Sequence, residues 1–161
     1  MAPRGKSNKE AAVTDTKPSN PKDQIGVTKL PMHLVPDSMK VFAALAFLEG
    51  DLKYGGSNWR VAGVRASVYR SALDRHLAKW WNGENKDPHT GIPHLASVLA
   101  CVAIILDAEV QGRLVDDRPP GQPLLAALID TMPEHVAKLK ELFKDYHPKR
   151  YTIADSGVTT E

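Results

Sequence analysis

The run LASVLACVAIIL, Leu95–Leu106, constrains the fold more than any other part of the chain. It follows Pro93-His94 and ends at Asp107, and apolar residues fill nearly every position. A helix built from it has no polar face in its first half, so other elements must enclose it. The pattern predicts the central helix of a bundle, His94 to about Leu114. Pro93 sits in its first turn, where a missing amide does no harm. The uninterrupted part, Val98–Leu106, is too short for a membrane span of roughly 20 residues, and no membrane partner is expected.

Two more helices are legible before it. Asp37 or Ser38 can cap the first, along which Val41, Leu45, Leu48 and Leu52 recur at helical spacing. Phe42, Ala44 and Phe47 widen that stripe, and Gly55-Gly56 ends it. Ser67 is the expected cap of the second, with Val68, Ala72, Leu73, Leu77 and Trp80 on one face until Gly83. After the break at Asp116–Gly121, a last helical region runs from about Pro123 to Tyr146, which Pro133 is expected to split. No strand pattern stands out. The fold class is all-α, a compact bundle of four to five helices. Residues 1–20 are expected to form a flexible tail, too poor in large apolar groups to offset their ordering entropy. NPKDQIGVTKLPMHLVP, with its three prolines, reads as an extended arm. Residues 21–156 are expected to form one domain and 157–161 a short tail.

Composition narrows the function. With 21 Lys and Arg against 19 Asp and Glu, the chain lacks the basic footprint of a nucleic-acid binder, and direct nucleic-acid binding is not expected. Cys101 is the single cysteine, and inside an apolar run it reads as a buried hydrophobe. No signal-peptide pattern opens the sequence, so a reducing, cytoplasmic location is expected. Four or five short helices leave the central one hard to cover. A homo-oligomer, dimer or tetramer, is therefore expected, with Trp81 and the Leu124–Leu128 face as candidate contacts.

The chemistry concentrates between Arg75 and Asp107. His76, Lys79, Glu84, Asp87 and His94 fall within twenty residues, around the turn-forming loop NGENKDPHTGIP. Two helices joined by such a loop can aim all five at one spot. Hard oxygen ligands, imidazoles and a cation suit a divalent ion that carries phosphate. His76 and Lys79 are three apart on one helix face, with Arg75 or Lys79 toward phosphate. Glu84 and Asp87 are the candidate Mg²⁺ carboxylates. His94, at a helix N-terminus where anions are favoured, has Ser97 one turn on. The structural alternative is a solvated acidic loop and a locally bonded histidine. A second cluster is Lys53, Tyr54, Asn58, Trp59 and Arg60. There Trp59 or Tyr54 can stack on a purine, Asn58 can read its edge, and Lys53 or Arg60 can reach phosphate. The phosphate-binding glycine fingerprints are absent.

Several of these pieces together resemble phage and prophage proteins named dATP/dGTP diphosphohydrolases. They are SNPKDQIGVTKLPMHLVP, LEGDLKYGGSNWR, RHLAKWWNGENKDPHTGIPHLAS, DDRPP and KELFKDYHPKRYTIADS, spread from about Lys17 to Ser156. The resemblance implies cleavage of a purine deoxynucleoside triphosphate between the α and β phosphates. By likeness to the wider MazG-like all-α pyrophosphatases, it also implies Mg²⁺ or Mn²⁺ on acidic residues of facing helices. Carried over, it points to His76, Glu84, Asp87 and His94 as metal-binding or catalytic. It points to Lys53, Tyr54, Asn58 and Trp59 in the K-Y-G-x-x-N-W piece, and to Lys22, Asp23 and Lys29 in the N-P-K-D piece. The Glu-x-x-Glu and later Glu-x-x-Asp of MazG proteins are missing here. A purine-nucleotide pyrophosphohydrolase is the leading expectation. A phage protein that binds and sequesters a nucleotide or nucleotide-derived signal is the alternative, and a purely structural helical module is the third.

Overall fold

The computed structural model describes residues 20–121, 123–155 and 157. The expected N-terminal tail lies outside them except for Asn20, and the 157–161 tail except for Gly157. The chain divides into two units, residues 1–36 and 37–161.

In the first unit the Asn20 side chain accepts the Lys22 amide at 3.0 Å, and Pro21 takes the first helical position. A polar cap followed by proline is a helix start. It begins α1, Pro21–Gly26, and a 3₁₀ turn follows at Met32–Leu34. The segment read as an extended arm is thus partly helical.

The second unit is built around α5 (His94–Val110), against which α4 (Ala66–Trp81) and α2 (Asp37–Tyr54) pack. A short α3, Trp59–Ala62, lies against α5 as well, and α6 spans Pro123–Leu142. The all-α class holds. The core is made of small residues, with Ala46 of α2 meeting Ala96 and Ala100 of α5, Ile92 of the preceding loop and Phe47 alongside. Alanine at the contact lets helix axes approach closely. The burial of α2 follows from that fit and not from its largest side chains. Its predicted core stripe faces outward instead, with Val41 67% and Leu52 79% exposed and Leu45 and Leu48 exposed between them. The central helix is likewise open on one side, at Leu95, Val102, Leu106 and Val110.

Four further expectations are corrected. Two-residue strands β1 (Val64–Arg65) and β2 (Leu114–Val115) pair in parallel, Val64 opposite Leu114. Two residues carry no period to read. Gly63 makes the pairing possible: its φ is +75°, and a Cβ there would meet the Arg113 carbonyl at 2.8 Å. The central helix stops at Val110, where Gly112 takes a φ of +63° and the Arg113 amide bonds back to the Ala108 carbonyl at 2.7 Å, and Leu114 belongs to β2. Ser67 does not precede α4 but lies within its first turn, and Asp117 does the capping. Its two carboxylate oxygens accept the Ser67 amide at 2.8 Å and hydroxyl at 2.6 Å. Finally, α6 runs unbroken through Pro133. The carbonyl freed by the missing amide belongs to exposed Ile129, where solvent can pair it.

Candidate active site

The loop between α4 and α5 is a tight reversal tied to the core. Asn82 closes α4 by donating its side-chain amide to the Ala78 carbonyl at 2.8 Å. The two arms then bond across: the Asp87 amide to the Ile92 carbonyl at 2.9 Å, and the His94 amide to the Asn85 carbonyl at 3.0 Å. Ile92 is buried and anchors the loop. At the tip, Asp87 Oδ1 accepts the His89 and Thr90 amides, each at 3.0 Å, and the Thr90 hydroxyl at 3.3 Å. These amides hold the Asp87 carboxyl below its ordinary pKa.

His94, at the start of α5, is the largest fully buried side chain of the described residues. A buried imidazole needs both nitrogens paired, and both are. Nε2 lies 2.8 Å from Glu84 Oε1, and Nδ1 lies 2.9 Å from Nδ1 of His76 on α4. Lys79 donates to the same Glu84 oxygen at 3.0 Å. His94 and then Lys79 hold the Glu84 carboxyl below its usual range. The bonding assigns the protons. A carboxylate only accepts, so His94 Nε2 carries hydrogen. In the tautomer with hydrogen on His94 Nε2 alone, His94 Nδ1 is bare and accepts from His76 Nδ1–H. The lone pair of His76 is thereby left on Nε2. Partial burial, followed by the neighbouring His94 and Lys79, lowers the His76 pKa, so this imidazole is neutral at neutral pH.

His76 borders a cavity of about 370 Å³ between α2, α4, α5 and the loop. Glu49, Lys53 and Tyr54 of α2 form one wall, Asp87, His89 and Thr90 another, and Ser97 and Cys101 of α5 the floor. Lys53 donates to Glu49 one turn earlier, which raises the Lys53 pKa and keeps the ammonium charged. Burial pushes the Cys101 thiol up, so it is a protonated wall and not a nucleophile.

Four predicted residues therefore meet at the cavity: His76, Asp87, Lys53 and Tyr54. Glu84 and His94 stand behind His76, and Lys79 is bonded to Glu84. Trp59 and Arg60 serve the fold instead. Both bond the carboxylate of Asp107 on α5, Trp59 Nε1 at 2.6 Å and Arg60 through two nitrogens at 2.8 Å. The Trp59 ring packs on Phe47, centroids 5.5 Å apart. Asn58 and Arg75 are exposed and are not among the residues lining this cavity. Lys22, Asp23 and Lys29 belong to the first unit. Sequence reasoning missed Glu49, His89 and Thr90. Glu49 had a signal, since it precedes Lys53 by four residues, the spacing of a helical ion pair.

Among the described residues no three His, Cys, Asp or Glu side chains form a metal-ligand group. His94 has both nitrogens engaged and Glu84 Oε1 takes two donors, so the four residues predicted as ligands do not fit a resident metal cage. No helix of the described residues is long and apolar enough to cross a membrane.

Fold and site define an all-α domain whose polar cavity joins a carboxylate-backed imidazole pair to a paired lysine. The family model for the dATP/dGTP diphosphohydrolase N-terminal domain matches residues 19–118, well over half of the chain, and the chain belongs to that family. No curated protein and no solved structure matches it.

Proposed function

We propose that the protein hydrolyses a purine deoxynucleoside triphosphate, dATP or dGTP, to monophosphate and pyrophosphate within a phage nucleotide pool. The observation that carries this reading is the bonded series Glu84–His94–His76, which ends in a neutral imidazole at a cavity also bordered by Lys53. A water attacks the α-phosphorus and passes its proton to His76 Nε2. The bond from that phosphorus to the bridging oxygen breaks, and pyrophosphate leaves. A general base of this kind contributes about 10²–10⁴-fold, and Glu84 and His94 hold its tautomer. Lys53 faces the phosphate charge, with Lys79 more remote behind Glu84. Mg²⁺ or Mn²⁺ enters with the triphosphate, since such an ion needs only one or two protein carboxylates. Asp87 and Glu49 are the carboxylates bordering the cavity.

Copies of the chain associate, in this reading, through the outward stripe of α2. Its Val41, Leu45, Leu48 and Leu52 form a row of exposed apolar groups of the sort that marks an interface. The Leu124–Leu128 face of α6, also exposed, is a second contact.

One observation favours the sequestering alternative: among the described residues no three-residue metal group forms, and a binder needs cations without a metal cage. Incubation with each dNTP and NTP, with Mg²⁺, Mn²⁺ or chelator, separates the two. Monophosphate and pyrophosphate from dATP or dGTP, absent with chelator, supports the enzyme. Tight binding without turnover supports the sequestering protein.

A further inference from the structure

Trp59 is committed to Asp107 and Phe47, so of the two rings read as base-stacking it is Tyr54 that borders the His76 cavity. A second cavity, of about 540 Å³, is bordered by Trp80 and Trp81 at the end of α4, Asn85 of the loop, and Tyr151 and Thr152 of the C-terminal segment. Its size falls in the range of small-molecule sites. The two indoles stand 6.0 Å apart and inclined by 59°, so they do not stack on each other. Trp81 is 75% and Tyr151 78% exposed, which leaves broad π faces in water around a concave surface. Lys149, paired with Asp155 at 2.6 Å, covers one Tyr151 face with its ammonium 4.8 Å from the ring centroid, which leaves the other face for a base.

Asn85 supplies the polar element. Its carbonyl accepts the His94 amide, while its half-buried side chain has no bonding partner among the described residues. An amide in this state offers a donor beside an acceptor, the pattern that the edge of a purine complements. His94 lies between the two cavities and lines neither, bonding Asn85 of one through its backbone and His76 of the other through its ring. We propose that the Trp80–Trp81–Asn85–Tyr151 cavity binds the purine base of the nucleotide, by stacking on the exposed rings and by hydrogen bonds to the Asn85 amide. This assignment rests on the reading of the His76 cavity as the triphosphate site.

The test titrates the full chain with deoxyadenosine and deoxyguanosine, which lack phosphate, and follows tryptophan emission. In parallel, tripolyphosphate, which lacks a base, is titrated by calorimetry. Saturable quenching is expected in the wild type. Trp81→Ala, Tyr151→Ala and Asn85→Ala should each weaken nucleoside binding, by about tenfold for the aromatic losses, with Trp81→Phe restoring most of it. Tripolyphosphate binding should be unchanged in all four variants. Nucleoside binding that is absent, or equal in wild type and variants, overturns the proposal. If tripolyphosphate still binds, only the base site falls, and if it does not, the triphosphate reading falls with it.

Discussion

His76 and His94 meet Nδ1 to Nδ1 at 2.9 Å, a contact in which one nitrogen must donate and the other accept. Glu84, on the far side of His94 at 2.8 Å, decides which. The carboxylate acts on the cavity through a buried ring, so a residue at the loop surface sets the state of an imidazole on another helix.

His76→Gln is expected to lower kcat for dATP or dGTP by about 10²–10⁴-fold while nucleotide binding changes little. Glu84→Gln should cost about 10²-fold, because its amide no longer dictates the His94 tautomer. Steady-state kinetics alongside calorimetric binding checks both. Equal losses in binding and turnover would count against a base.

In the wild type, kcat/KM should fall on the acid side as His76 of the free protein protonates. Its pKa is lowered by burial and by its neighbours, so that limb should lie below the ordinary histidine value of about 6.5. A pH–rate profile with its acid limb at or above that value would contradict the neutral imidazole.

Lys53→Ala should raise KM for the triphosphate by roughly 10–100-fold, the range for losing a charge-assisted hydrogen bond. Lys53→Arg should recover part of it. Initial-rate measurements over a range of nucleotide concentrations read the effect, and an unchanged KM would remove Lys53 from phosphate binding.

His94→Ala removes a buried ring and leaves His76 and Glu84 without their partner. Stability should fall by about 2–4 kcal/mol, read by denaturant unfolding. A loss of activity with unaltered stability would mean that the ring is not the structural link described.

Acid should destabilise the fold. Arg60 first and then Trp59 hold the Asp107 carboxyl low, Ser67 does the same for Asp117, and Arg118 brings Asp116 down to about 2. For carboxylates with lowered folded pKa values, the stabilisation is complete above the unfolded pKa near 4 and is lost as pH falls through the folded values. His76 acts in the same direction, since the unfolded chain binds its proton more readily below about pH 6.5. Thermal unfolding followed from pH 7 to pH 3 should show a falling Tm, with a shallower slope in Asp107→Asn.

Light scattering should report a dimer or larger assembly at micromolar concentration. Leu48→Lys places a charge in the exposed α2 stripe and should shift the chain toward monomer while leaving helix content intact. A monomeric wild type would show that the stripe stays open to water.

Much of this was legible in the chain. Helical spacing located α2, α4 and α5, and the dense turn residues between Gly83 and Pro93 marked the reversal that carries Glu84 and Asp87. The grouping of His76, Glu84, Asp87 and His94 followed from one loop and its two flanking helices, because neighbours in sequence stay neighbours there, whereas the wall of Glu49, Lys53 and Tyr54 comes from α2. What a periodicity does not encode is which of several apolar faces turns inward. Alanines at 46, 96 and 100 set the α2–α5 contact by close approach, and the larger Val41–Leu52 stripe was left outside. Nor does spacing reveal long-range polar pairing. Asp107 takes Trp59 and Arg60 away from any ligand, Asp117 caps α4 from fifty residues on, and Glu84 reaches His76 only through His94. Each depends on the meeting of segments distant in sequence, and hydrogen-bond geometry is decided only when the helices have packed.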